Sequence, residues 1–397
     1  MISISKLYCG ATEAFDHVRY GKRHFSDKRP VVVWNVTKAC NLRCIHCYAK
    51  ADNNPAPNEL TTEEGFKLLE DLAKFGCPVI LFSGGEPLVR PDILDLIHKA
   101  VNLGLRTVIS TNGVLIDHSL AKELKKLGVS YVGISLDGWK EVHDKFRGVK
   151  GAFEKVISAI EACKKEGLKV GLRFTMSKLN AKEIPKIFTL VEELKIPRVC
   201  FYHLVYSGRG SKLIEQDLSH EETRYWVDYI IDKTKDLHTK GLKAEVLTVD
   251  NHADGPYLYL RMKKENHPKA EEVYELLKIN GGNNSGVGIG CVSWDGFVYA
   301  DQFWRTHTFG NVRERPFSEI WMDTSNPLMA KLKEKKKYVK GRCAKCKFLD
   351  LCAGNFRARA EAVTGDIWAP DPACYLTDEE IGIQEREENG KNRKSFN

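Results

Sequence analysis

Cys40, Cys44 and Cys47 lie within the string Cys-Asn-Leu-Arg-Cys-Ile-His-Cys, and Cys343, Cys346, Cys352 and Cys374 form a second group near the far end of the chain. The remainder of the 12 cysteines, Cys9, Cys77, Cys163, Cys200 and Cys291, are scattered. A reducing compartment does not turn clustered cysteines into disulfides. Thiols at such spacings point to metal or iron–sulfur ligation. The four C-terminal thiolates suffice for a closed 4Fe–4S site or for zinc. The first three leave two readings open. Zinc would need a fourth ligand, which His46 between two of the cysteines could supply. A 4Fe–4S cluster on three thiolates would instead keep one iron for an outside ligand.

These groups need a scaffold, and the apolar pattern describes one. Short apolar runs, Val31–Val36, Val79–Phe82, Arg106–Ser110, Tyr131–Ser135, Lys169–Thr175 and Arg198–His203, alternate with amphipathic stretches at Thr62–Phe75, Pro91–Leu103, Ser119–Leu127, Ala152–Glu166, Ala181–Leu194 and His220–Thr239. Strand-then-helix repetition predicts a parallel sheet with crossover helices, an α/β fold of the partial (β/α)6 TIM-type barrel class, with a seventh strand at Ala244–Val249. The expected organisation is an N-terminal extension (1–28), the barrel (29–250), a C-terminal module (251–376) and a charged tail (377–397). In the module, Asp295-Gly296 between two apolar runs predicts a hairpin, and Phe317–Lys333 a helix. The Gly/Asn-rich run 281–290 reads equally as a flexible loop or a ligand loop. On this scaffold the first cysteine group follows the first strand, at the mouth where such barrels carry their chemistry.

Composition narrows the class further. The chain has 397 residues, 43% hydrophobic and 29% charged, an ordinary globular balance that excludes disordered, collagen-like and small disulfide-scaffold chains. Its longest apolar runs are far too short to cross a bilayer, and the N-terminus shows no secretory pattern, so a cytoplasmic location without membrane attachment is expected. The net charge of +8 suits an acidic partner without choosing one. The Lys-rich run 331–347 reads as a solvated face.

CxxxCxxC on the loop after the first strand resembles the signature of radical S-adenosylmethionine (SAM) enzymes. Ser83-Gly84-Gly85-Glu86-Pro87 at the end of the second strand resembles that family's GGEP motif. The resemblance implies that Cys40, Cys44 and Cys47 hold a 4Fe–4S cluster to which SAM binds, with Gly84, Gly85, Glu86 and Pro87 meeting its amino group. Ser110-Thr111-Asn112, Ser135 and Asp137 close the next two strands, and Arg173 lies on the fifth; by resemblance they hold the ribose and carboxylate of SAM. Cys343-x2-Cys346-x5-Cys352, with Cys374, is similar to the SPASM/twitch extension of such enzymes and implies one auxiliary 4Fe–4S cluster, making two clusters in all. Cys291 is an alternative ligand or a buried thiol.

Strings in the C-terminal half, among them Asp250-Asn251-His252-Ala253-Asp254 and Gly310-Asn311-Val312-Arg313, are similar to the radical SAM branch that modifies sirohaem-derived tetrapyrroles. That resemblance implies an iron tetrapyrrole substrate, didecarboxysirohaem, losing two acetate arms to give Fe-coproporphyrin III. An unidentified low-potential electron donor would serve the reaction, and nucleic acid would have no part in it. A flat apolar macrocycle with carboxylates needs an apolar slot rimmed by cations. Trp294, Phe303, Trp304 and Tyr257 are candidates for the slot, and Arg209, Arg305, His307 and Arg313 for the rim. His252 or His307 is a candidate axial ligand of the substrate iron. No catalytic acid or base is assigned. The alternatives are a sister reaction of the haem synthase or NirJ type, a peptide-modifying maturase, and a non-catalytic metal-binding protein.

Overall fold

The computed structural model describes residues 1–12, 16–21 and 29–383. Runs rich in Val, Ile and Phe form its strands: β1 Ile2–Ser3, β2 Val31–Thr37, β3 Val79–Gly84, β4 Arg106–Thr111, β5 Tyr131–Ser135, β6 Val170–Met176, β7 Arg198–His203, β8 Glu245–Val249, β9 Ile289–Val292 and β10 Val298–Tyr299. They make one sheet in the order β1-β8-β7-β6-β5-β4-β3-β2-β9-β10. The pairs from β2 to β8 are all parallel. Their near-continuous apolar character follows, because helices cover one face and the barrel lumen the other. The predicted strands and crossover helices are present. Helix Thr62–Phe75 opens on a Thr61/Glu64 capping box and ends on Gly76 in the left-handed region, as its sequence requires.

Inside the barrel, the end opposite the chemistry is sealed by charge. Glu245 pairs with Arg198 and with Arg19, whose Nη1 lies 2.8 Å from its Oε1. Arg198 also lies over the Tyr131 ring at 4.6 Å. Above this plug sit Cys200 and Tyr202, packed against Leu247 and Val249.

Several expectations need correction. The N-terminal extension carries regular structure: β1 pairs antiparallel with β8, Ile2 opposite Thr248, and residues 4–7 and 16–20 are helical. The helix expected over 317–333 is two, Phe317–Met322 and Pro327–Lys333. Asn326 caps the second and Pro327 cannot continue the first. The Asp295-Gly296 hairpin forms, with Val298 opposite Val292, but β9 also joins β2 in parallel, so the module extends the barrel sheet. Lys335 is no solvated residue. It is buried, and its ammonium donates to Asn283 O at 2.9 Å and Ser285 O at 2.8 Å. The Gly/Asn run is therefore a wrapped cage. The expected charged tail includes a short helix, Asp378–Ile381; its residues 384–397 lie outside the described part. Among the described residues, no helix is long and apolar enough to cross a membrane.

Candidate active site

The loop after β2 carries the first cysteine group, and neighbouring elements fix it by its backbone. Arg43 N and Ile45 N donate to Arg147 O and Phe146 O, each at 3.0 Å. Arg209 donates from its Nε to Cys44 O (2.7 Å), from Nη1 to Ala51 O (2.8 Å) and from its backbone N to Cys47 O (2.8 Å). The sulfurs meet donors. Leu42 N lies 3.4 Å from Cys40 Sγ, and Arg147 Nη1 3.4 Å from Cys44 Sγ. Burial pushes the Cys40 thiol up to about 12 and raises that of Cys44, against the pull of these donors. A positively charged metal group would reverse that balance. Arg147 itself pairs with fully buried Asp137. Burial works to raise the Asp137 carboxyl, but Arg147, His46 and the Thr175 N–H outweigh it and hold it below its ordinary range. His46, the candidate zinc ligand, turns its Nε2 toward Asp137 (3.6 Å) and its ring toward Phe146. Burial lowers its pKa to about 4. Among the described residues no three His, Cys, Asp or Glu groups converge as a single ion requires.

Cys40, Cys44 and Cys47 line one cleft at the C-terminal ends of the strands, enclosing about 1090 Å³ of atom-free space, part of it open to solvent. Of the residues expected to bind SAM, Gly84, Gly85, Ser110, Thr111, Asn112, Ser135 and Arg173 line the same cleft. Gly84 (φ +121°) and Gly85 are required there: a Cβ would stand 2.6 Å from Thr37 O on the first and 2.1 Å from Ala39 O on the second. Arg173 Nη1 donates to Ser110 Oγ at 2.7 Å. Three expected ligands stand outside the wall. Glu86 is fully buried and accepts from Thr111 Oγ1 (2.7 Å), Asn112 N (2.7 Å) and Leu88 N (3.1 Å). It ties β3 to β4 instead of facing the cleft, and burial raises its pKa to about 7. Pro87 begins the turn behind it, and Asp137 serves Arg147.

The cleft wall also includes His203 at the end of β7, Leu204 and Val205 after it, Asp250 after β8, and Arg209, Gln302, Phe303 and Tyr48. Tyr48 and Phe303 meet edge to face at 5.0 Å. Of the expected substrate residues, then, Arg209 and Phe303 reach the cleft. Trp304 and His307 do not: the indole N–H and His307 Nε2 are each 2.6 Å from a Glu361 carboxylate oxygen. Arg305 lies over the Trp294 ring at 3.9 Å and donates to Ser293 Oγ, and Trp294 packs on the cysteine loop. Arg313 pairs with Glu64 at 2.6 Å on the surface. Tyr257 donates to Asp228 at 2.8 Å. His252 is buried and not in the cleft wall, its Nε2 3.2 Å from the Met1 amino group. Sequence reasoning missed Tyr48, His203, Asp250 and Gln302. The signal available was position: His203 ends β7, beside the β6 that carries Arg173, and Asp250 follows β8 next to it.

Six buried polar atoms on this wall have no hydrogen-bond partner in the protein: His46 Nδ1, Arg147 Nε, Arg173 Nε, Arg209 Nη2, Asp250 Oδ2 and Gln302 Oε1. Buried polar atoms left unpaired cost stability unless a ligand or water meets them. Donors and acceptors together fit a zwitterion such as SAM beside an anionic substrate.

The second group converges as expected. Cys343, Cys346, Cys352 and Cys374 surround one apolar cavity, and all four are free thiols. Cys346 Sγ accepts from Phe348 N at 3.3 Å. Amide donors of this kind accompany thiolate-held clusters and tune them. Gly282 (φ +71°) lets the caged run lie on Cys352, whose carbonyl carbon would be 2.2 Å from a Cβ. Cys291 is elsewhere: it packs with Val33 and Tyr299 and accepts from Asn35 at 3.5 Å, which suits a buried thiol and not a ligand of this cavity. Replacing Cys343 and Cys346 by Ala is expected to abolish product formation while 5′-deoxyadenosine still forms under dithionite. Iron content and chromatography of the nucleoside check it.

A barrel with three thiols at its mouth and a second thiol cage beyond it defines a class. The radical SAM superfamily profile matches residues 34–191, and an iron–sulfur cluster-binding domain profile (SPASM) matches residues 288–347. The chain belongs to the radical SAM superfamily; a 4Fe–4S cluster and SAM come with the first domain, and further iron–sulfur binding with the second. It is 61% identical to the Fe-coproporphyrin III synthase of Methanosarcina barkeri, over 97% of this chain and 100% of that one. It is 40% identical to the pre-heme d1 synthase of Dinoroseobacter shibae (89% and 88%), and 32% to the AdoMet-dependent heme synthase of M. barkeri (87% and 95%). Among solved structures it resembles Streptococcus suis SuiB bound to S-adenosylmethionine (TM-score 0.70, 18% identity, 88% and 78% covered), a likeness of fold alone.

Proposed function

We propose that this chain is the radical SAM enzyme that removes the two acetate side chains of didecarboxysirohaem to give Fe-coproporphyrin III. The single observation that carries this reading is the 61% identity over the whole length of an Fe-coproporphyrin III synthase. The cleft agrees in chemistry: Leu204, Val205, Tyr48 and Phe303 offer an apolar, aromatic wall, and Arg209 a guanidinium with one buried N–H free.

Cys40, Cys44 and Cys47 would hold the SAM-binding cluster, and Cys343, Cys346, Cys352 and Cys374 an auxiliary one. Bound there and reduced, such a cluster would supply the electron for reductive cleavage of SAM. The protein's own work is positioning. Gly84 and Gly85 bring backbone to the ligand, Ser110 holds Arg173 toward its carboxylate, and Arg209 links the cysteine loop to the substrate end. Arg147 and Asp137 keep a donor on Cys44. The low-potential donor that feeds the clusters is an external protein or small reductant.

Anaerobic incubation with didecarboxysirohaem, SAM and dithionite should give Fe-coproporphyrin III and two acetates, read by mass. Turnover of a sister tetrapyrrole alone, or of a peptide alone, would overturn the assignment. Within it, Arg209→Leu should weaken Fe-coproporphyrin III binding by about 1.5–3 kcal/mol, the worth of a hydrogen bond to a charged group. Arg313→Leu, on an exposed ion pair, should change it by under about 1 kcal/mol. Soret titrations measure both.

A further inference from the structure

We infer that Asp250 is the acid that protonates the departing two-carbon fragment, an inference that rests on the acetate-removal reading above. Asp250 directly follows β8 and holds a left-handed backbone (φ +66°), a conformation costly for a side-chain-bearing residue and kept only where its surroundings enforce it. The enforcement is visible. Asp250 O accepts from Arg359 Nη2 at 2.8 Å, and Arg359 is pinned to Asp371 (2.8 Å), both side chains wholly buried. The result is a carboxyl in the cleft wall, opposite the SAM motifs of β3 to β6, with Oδ2 buried and bonded to nothing in the protein.

A buried polar pair lies alongside. His203, from the neighbouring strand, stands in the wall of this cleft and of a second, polar pocket with Lys178, Asp217, Ser219 and His220. Its Nε2 is held at 2.9 Å by Asp254, which also accepts from Tyr375 OH at 2.7 Å. Burial raises the Asp250 pKa to about 7; of the charged groups facing it, Asp301 adds to that, while the Met1 amino group, Arg359 and His203 oppose it. Near neutral pH the carboxyl can therefore carry a proton and recover it.

The chemistry balances as follows. The ring carbon beside the acetate-bearing carbon loses a hydrogen atom to the 5′-deoxyadenosyl radical. The bond to the carboxymethyl group breaks as a ring double bond forms. The carboxymethyl radical takes one electron from a one-electron donor of the iron–sulfur class, and the proton of Asp250, and leaves as acetate.

The test is solvent isotope content. Wild-type enzyme turning over in D2O should release acetate carrying one deuterium in its methyl group. Asp250→Asn should bind Fe-coproporphyrin III with an unchanged Soret shift, yet form product about 100-fold more slowly, with 5′-deoxyadenosine in excess over acetate. Asp250→Glu should recover part of the rate. Deuterium-free acetate alongside Fe-coproporphyrin III would overturn the inference while leaving the function standing, as would full-rate, deuterated turnover by Asp250→Asn. Absence of both products from the wild type would instead remove the function reading on which the inference rests.

Discussion

Converting Cys40, Cys44 and Cys47 together to Ala is expected to abolish SAM cleavage and remove about half the iron, since two 4Fe–4S clusters would bind four irons each. The three sulfurs line the cleft that holds the SAM motifs, and the other four cysteines surround a separate cavity. Loss of the first group therefore need not disturb the second. The loop is also fixed by backbone hydrogen bonds to Arg147, Phe146 and Arg209, which the substitutions leave in place, so the barrel should still fold. Iron and sulfide analysis of anaerobically purified protein, with 5′-deoxyadenosine measured under dithionite, decides the matter. Cleavage retained by the triple variant would defeat the assignment of this loop.

A single methyl group should do nearly as much damage at Gly208. This residue lies at φ +60°, and an added Cβ would stand 2.2 Å from Tyr48 O and 2.4 Å from Cys47 O. Those are backbone atoms of the cysteine loop itself, and no side-chain rotation relieves them. Gly208→Ala should displace Cys47 by a fraction of an ångström or more and cut SAM cleavage by about 10²-fold, the usual effect of a small misplacement of reacting groups. Gly151→Ala is the control. It too has positive φ (+80°), but nothing lies within 4 Å of its Cβ. That variant should lose only the left-handed backbone cost of about 1–2 kcal/mol and keep its SAM cleavage. Thermal melts and nucleoside assays on the pair separate strain from collision. Equal activity in both variants would mean that the segment at Gly208 does not brace the cluster loop.

Much of the barrel was legible because it is local. Parallel strands buried on both faces must be apolar runs, and amphipathic crossovers must show helical periodicity, so β2 to β8 were bounded within a residue or two, although the short helix Glu141–Arg147 between β5 and β6 was not foreseen. The cysteine groups were legible for a different reason: clustered thiols are chemically rare, and Cys40, Cys44 and Cys47 share one loop.

The substrate end was not legible, because its residues are selected by where strands end in space and not by what precedes them in the chain. Arg305, Arg313, His307 and Trp304 have the right chemistry, yet Ser293, Glu64 and Glu361 already satisfy them. Glu86 likewise sits in the expected motif, but Thr111 and Asn112 claim its carboxylate. The sequence by itself determined the barrel, the two cysteine cages and the glycines that let backbone approach a ligand, since each depends on residue type at short range. Only the tertiary structure decided which polar groups remain unpaired on the cleft wall, Asp250 and Arg209 foremost, because whether a hydrogen bond is free depends on partners contributed by distant strands.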